Sequence, residues 1–147
     1  MVAKWLMAAF LVVVAVDGGA QAPAGQGGGG TTKRCLESQP CVVTVSVPAQ
    51  CNACTPSADP AYASIEKGKK LRITWKLAAP NYAFDSQRGI QFADDPNGDE
   101  FKCRAEQNAT VYVCDDRHST SGKTYKYTIS LTGPGTPKPL DPWIINE

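Results

Sequence analysis

Three short stretches of this sequence carry residue types that could do chemistry. In Ala49-Gln50-Cys51-Asn52-Ala53-Cys54-Thr55-Pro56 two cysteines stand at the spacing of thiol redox centres. Such a pair works when its first sulfur sits at a helix N-terminus, where backbone N–H groups and the helix dipole stabilise a thiolate. The residues that follow do not promise a helix, since Pro56 and Pro60 bracket Ser57-Ala58-Asp59 and no apolar period is visible. The alternating strands and helices of a thioredoxin-like domain are missing too. A zinc site is a further reading, because Cys35, Cys41, Cys51 and Cys54 fall within one segment. They supply only one Cys-x-x-Cys, whereas structural zinc sites generally use two such knuckles, or one with a histidine pair. Structural disulfides are the preferred reading, thiol–disulfide exchange at Cys51 and Cys54 is the alternative, and no metal or cofactor is expected.

The second stretch, Asp94-Asp95-Pro96-Asn97-Gly98-Asp99-Glu100, places Asp95, Asn97 and Asp99 at alternate positions, as calcium loops do. Glu100 occupies the sixth position, where such a loop needs glycine. Glu106 falls at the twelfth, but Phe101 to Arg104 reads as strand and would carry it away. Pro96-Asn97-Gly98 is strong turn chemistry, so a hairpin turn is expected. The third stretch, Asp115 to Gly122, holds His118, the only histidine. His118, Ser119 and Asp116 spell a triad on paper. Neighbours in one loop rarely bring nucleophile, base and orienting group together beside an oxyanion site, so a solvated turn is expected and no residue is assigned as catalytic. One histidine also cannot furnish the two of a blue-copper centre.

The elements that must position these groups read as strands. Leu71, Ile73, Trp75 and Leu77 alternate with Arg72, Thr74 and Lys76, and Tyr125, Tyr127, Ile129 and Leu131 alternate with Lys126, Thr128 and Ser130. Period two with one apolar face is a half-buried strand. Cys41 to Val47 reads likewise through Val43, Val45 and Val47, and shorter strands are expected at Gly89 to Phe92, Glu100 to Arg104 and Thr110 to Asp115. With turn residues between them and no helical period, the expected fold is all-β: an antiparallel sandwich of about six to eight strands.

The segment Gly122 to Thr132 (GKTYKYTISLT) resembles the late strand of immunoglobulin-like domains, where a glycine turn precedes an aromatic-rich alternating strand. The ending Pro139 to Asn146 (PLDPWIIN) is similar to the tail of small uncharacterised exported bacterial domains. The likeness runs from the Leu71 strand onward, roughly the last half of the chain. It implies an immunoglobulin-like fold and an exported bacterial protein rather than an activity. The cysteines from Cys35 to Cys54 lie outside it.

At 147 residues the chain has room for one domain. Lys4, the apolar run Trp5 to Val16 and the small residues Gly18 to Ala22 have the layout of a secretory signal peptide, and the run is shorter than the roughly 20 apolar residues of a membrane span. The boundaries expected are a signal peptide at 1–20, a flexible Gly-rich linker at 21–33 and one disulfide-stapled sandwich at 34–147. Cleavage removes one charge of each sign, Lys4 and Asp17, so the net charge stays +1. A chain this neutral offers no electrostatic case for nucleic acid or an anionic membrane, and no stable membrane insertion is expected after processing. Its one basic run, Lys67 to Arg72, reads as a solvated guard on a strand edge.

Six cysteines in a short exported chain are an even set, and a secreted or periplasmic location favours pairing them. A hairpin across Glu106 to Ala109 would set Cys103 opposite Cys114, within disulfide range. Pairing Cys35 or Cys41 with Cys51 or Cys54 would fasten the first strand to the loop behind it. Asn108-Ala109-Thr110 fits a glycosylation sequon that in a bacterial protein marks only a turn. The tail Asp141-Pro142-Trp143-Ile144-Ile145 must bury its apolar residues, either as a clasp on the domain's own sheet or as a strand docked on a partner. The function expected is a binding or structural module for an unassigned protein or surface ligand, not an enzyme; an edge strand could support a homodimer, but the residues favour no oligomeric state.

Overall fold

A computed structural model describes residues 31–147, so the expected signal peptide and most of the expected linker lie outside the described residues. The described residues form twelve strands, one short 3-10 turn and no α-helix. In chain order the first six strands are β1 (Thr32–Cys35), β2 (Cys41–Ser46), β3 (Ser57–Asp59), β4 (Tyr62–Ile65), β5 (Arg72–Leu77) and β6 (Ala83–Phe84). They are followed by β7 (Ile90–Phe92), β8 (Phe101–Glu106), β9 (Val111–Asp116), β10 (Lys123–Ile129), β11 (Leu131–Thr132) and β12 (Trp143–Asn146). Every strand expected from alternation is present, with its ends within two residues. The count exceeds the expected six to eight because β1, β3, β4, β6 and β11 are too short or too polar to show an alternating pattern. Strand β1 also starts at Thr32, inside the stretch read as linker.

Two five-stranded sheets, ordered β1-β4-β12-β10-β7 and β3-β2-β5-β9-β8, pack face to face, and β6 and β11 make a small separate pair. The sheets are mixed, which corrects the wholly antiparallel expectation: β1 with β4, β4 with β12 and β2 with β5 run parallel. A parallel pair needs a long crossover, usually helical. Here the crossover between β2 and β5 is itself made of strands. The chain turns back from β2 as β3, passes to the other sheet as β4, and returns as β5 beside β2. No helix is required, and alternation alone carries no information on strand direction.

The inward faces are those the alternation assigns. Val43, Val45, Ile73 and Trp75 from one sheet meet Tyr125, Tyr127, Ile129 and Ile144 from the other, each at most 2% exposed. Trp75 crosses the interface with its ring edge-on to Tyr127, centroids 5.3 Å apart, and its indole N–H donates to the Tyr127 hydroxyl at 3.2 Å. Burial drives the Tyr127 hydroxyl well above its ordinary pKa, with the Trp75 hydrogen bond acting the other way. The basic run does not guard an edge, since β5 lies in the middle of its sheet. Lys69 instead pairs with Glu37 at 2.6 Å and Arg72 with Asp115 at 2.7 Å.

Candidate functional site

All six cysteines are bridged, as Cys35–Cys41, Cys51–Cys54 and Cys103–Cys114. The hairpin bridge is the one the strand faces called for, since Cys103 and Cys114 are directly opposed in the β8–β9 register. The other two correct the expected cross-pairing. Cys35 ends β1 in one sheet and Cys41 begins β2 in the other, so their bridge ties the sheets where the chain crosses between them; both are buried. Cys51 and Cys54 both lie in the β2–β3 loop and close on each other instead.

Cys51 and Cys54 are half-buried. What holds their loop is not a helix but the segment before the tail. The Ala53 N–H donates to the Gly135 carbonyl at 2.6 Å and the Lys138 N–H to the Cys54 carbonyl at 2.8 Å. The approach is so close that a Cβ on Gly135, whose φ is +70°, would lie 1.8 Å from the Cys51 carbonyl oxygen. After Cys54 the chain enters strand β3, so neither thiol would gain a helix N-terminus to stabilise a thiolate.

The three other features singled out in the sequence converge on one place. Glu100 closes the acidic stretch, Asp116 ends β9, His118 and Ser119 follow it, and Asn146 ends β12. Glu100, Asp116 and Asn146 are 5%, 3% and 0% exposed. The Asn146 amide donates one N–H to Glu100 Oε1 at 3.2 Å and one to Asp116 Oδ1 at 3.4 Å, bridging two buried carboxylates. Glu100 also accepts the Ser119 N–H at 2.7 Å, and the Ser119 hydroxyl bonds to its second oxygen. Asp116 accepts the His118 N–H at 2.9 Å, and its Oδ2 has no partner among the described residues. Burial first, and the neighbouring Glu100 carboxylate after it, push the Asp116 pKa up to about 6, against the His118 N–H, which favours the charged form.

This arrangement does not make a triad. The Ser119 hydroxyl is held by Glu100, not by His118. His118 Nδ1 lies 3.9 Å from Asp116 Oδ2, beyond hydrogen-bond range. His118 Nε2 lies 3.2 Å from the Gly68 nitrogen and 3.1 Å from the Glu147 carbonyl, and it accepts from the first or donates to the second. Ser121, 3.4 Å from the same nitrogen, finds its single lone pair already contested. His118 is 9% exposed, a buried group rather than the solvated turn expected for its loop.

At the acidic stretch Asp95 serves the backbone. Its carboxylate accepts the N–H groups of Asp99, Glu100 and Phe101 at 2.7, 3.1 and 2.8 Å, which fixes a turn; the turn is not the hairpin expected, because β7 pairs with β10 and β8 with β9, and the stretch carries the chain from one sheet to the other. Among the described residues no group of three or more His, Cys, Asp and Glu side chains is placed to hold a metal ion. The tail lies within the domain's own sheet: β12 stands between β4 and β10, with Ile144 and Asn146 facing the core and Trp143 and Ile145 facing outward. Asp141 pairs with Lys126 at 2.9 Å, which lowers its pKa, and the Pro142 carbonyl accepts the Tyr127 N–H at 3.1 Å.

Asn146 was legible in principle, because two residues beyond the inward Ile144 a polar side chain must also face in and needs a partner. Glu100 carries no such signal. At the open side of the sandwich a cleft of about 300 Å³ separates β7 from β8, with Phe92, Phe101, Tyr112, Gln91 and Lys102 among its walls. No helix of the described residues is long and apolar enough to cross a membrane. No protein-family model matches the chain, and no curated protein matches it.

Proposed function

We propose that the chain is an exported, disulfide-stapled β-sandwich of the immunoglobulin-like kind, acting as a binding or structural module for an unassigned protein or surface ligand, without catalysis or cofactor. The observation that carries this reading is the use to which the chemically capable groups are put. The cysteines are spent as bridges, and the carboxylates, histidine and asparagine are turned inward to hold β12 rather than outward to a substrate. Three disulfides suit an extracellular or periplasmic protein. The immunoglobulin-like assignment draws on the two facing five-stranded sheets and on Trp75 packed across them, while the parallel pairings depart from the wholly antiparallel pattern of that fold.

A second reading, a periplasmic thiol–disulfide protein, is favoured by one observation: Cys51 and Cys54 bond to each other in a half-exposed loop. Reduction of insulin disulfides by dithiothreitol or glutathione separates the two. A binding module leaves the uncatalysed rate unchanged, and its Cys51→Ser/Cys54→Ser variant behaves identically. Acceleration by the native protein that the double variant loses would replace the first reading with the second.

A further inference from the structure

We infer that the outer edge of β8 is a self-recognition surface, on which a second copy of this chain adds its own β8 antiparallel to form one continuous sheet across a two-fold axis. The proposal stands on the hydrogen-bonding parity of β8 and the order of its charges, and it holds under either functional reading.

Strand β8 ends its sheet, and among the described residues nothing pairs with its outer side. The other end of the same sheet is treated differently. There β3 has three residues and lies between Pro56 and Pro60, the short, proline-flanked form that discourages strand addition. β8 runs six residues without proline or glycine.

Its parity is fixed by three observations. Glu100 accepts the Arg117 N–H at 2.9 Å, so the even-numbered positions bond to β9. Cys103 and Cys114 are 4.0 Å apart at Cα, the close spacing of a pair that does not exchange backbone bonds. The Phe101 N–H points away from β9 and donates to Asp95. Phe101, Cys103 and Ala105 therefore direct their backbone groups outward. Asp95 closes the Phe101 end, which leaves the N–H and C=O groups of Cys103 and Ala105 to form the open edge.

Two copies can satisfy these groups most fully in one register. Centring the two-fold on Arg104 sets Cys103 against Ala105 of the second copy and Ala105 against Cys103, and all four N–H groups find carbonyls. The outward face then sets Lys102 against Glu106 of the second copy, twice. Arg104 meets its own symmetry mate, but each guanidinium is already matched by Asp115 at 2.9 Å, and Glu106, 3.1 Å away, is shared between it and Lys102 of the second copy. Shifting the two-fold to Cys103 would oppose Lys102 to Arg104. Shifting it to Ala105 would call on Gln107, whose φ of +48° has left the strand. Charges of a single sign would repel a second copy, whereas Lys102 and Glu106 placed symmetrically about Arg104 make the strand complementary to itself. A short strand pair buries little area, so the dimer is a weak, concentration-dependent one.

The test is sedimentation equilibrium of the protein purified from the export compartment of its expression host, with amide hydrogen exchange read at low and high concentration. A reversible dimer is expected, with the Cys103 and Ala105 amides gaining protection as it forms. Lys102→Glu should weaken dimerisation by about tenfold or more while keeping the near-ultraviolet circular dichroism of the native protein, and Lys102→Glu/Glu106→Lys should recover most of that loss. A monomer at millimolar concentration would overturn the proposal. So would a dimer whose strength ignores the charge reversal, or one that protects no β8 amide.

Discussion

The Cys51–Cys54 loop and the Glu100–Asp116–Asn146 cluster hold the chain together from opposite sides. The loop is half-exposed, closed by a bond between near neighbours in sequence, and gripped from outside by Gly135 and Lys138. The cluster is buried, built from three distant segments, and grips β8, β9 and β12 from within. A local staple constrains only its own loop, and its removal is felt there. A buried polar junction constrains the elements that meet in it, and a missing member leaves desolvated carboxylates one donor short. The residues whose spacing most suggests reactivity therefore carry the smaller structural role.

That contrast can be broken most severely at β12. Deleting Trp143 to Glu147 removes a central strand, strips pairing from β4 and β10 and leaves both buried carboxylates without Asn146. Loss of cooperative folding is expected, an effect above about 5 kcal/mol; near-ultraviolet circular dichroism on heating checks it, and a native-like melt would refute the clasp. Asn146→Ala is milder, with an expected cost of about 2–4 kcal/mol by denaturant titration, since one amide serves two acids. A value near zero would mean that water replaces the amide fully.

Gly135→Ala tests the other region. The added Cβ meets the Cys51 carbonyl and the left-handed backbone at once, so the two loops must part. The expected cost is about 1–3 kcal/mol, with hydrogen exchange quickening at Ala53 and Lys138 while β12 stays protected. Quickening at β12 as well would merge regions held here to be separate.

The smallest effect is on pH. The Asp116 pKa is raised to about 6 in the folded protein, against about 4 in an unfolded chain. Between those values the native state binds the extra proton, so this group's contribution is fully favourable below about pH 4 and is lost as pH rises through about 6. Asp115 and Asp141, whose pKa values are lowered by Arg72 and Lys126, act in the opposite sense, losing stabilisation as pH falls. The comparison therefore belongs between the native protein and Asp116→Asn. The difference in their melting temperatures between pH 5 and pH 7 should show the native protein losing more stability on the alkaline side, and parallel profiles would show that Asp116 does not titrate in that window.

How far these features can be seen in advance depends on where the information lies. Trp75 and Tyr127 declare their faces by alternation, and Cys103 and Cys114 by their positions on either side of a turn, because strand faces are a local property. Strand direction is not local, so the parallel pairing of β2 with β5 was illegible. β4, four residues with Ala63 and Ser64 at its centre, shows no pattern until β12 pairs beside it. The pairing of Cys35 with Cys41 depends on the chain crossing between sheets at residues 36–40, where no periodicity marks the passage. The cluster is half legible: turn chemistry marks Asp94 to Glu100, the only histidine marks Asp115 to Gly122 and an apolar run marks the tail, but only the fold shows Asn146 standing between Glu100 and Asp116.

The most direct test is the equilibrium reduction potential of the Cys51–Cys54 bridge, read by differential alkylation and mass spectrometry in glutathione and dithiothreitol buffers. A structural bridge is expected to resist glutathione, at or below about −300 mV, with Cys35–Cys41 and Cys103–Cys114 intact while it is reduced. Equilibration with glutathione in the oxidoreductase range, roughly −270 to −120 mV, would contradict it and mark the loop as a redox centre.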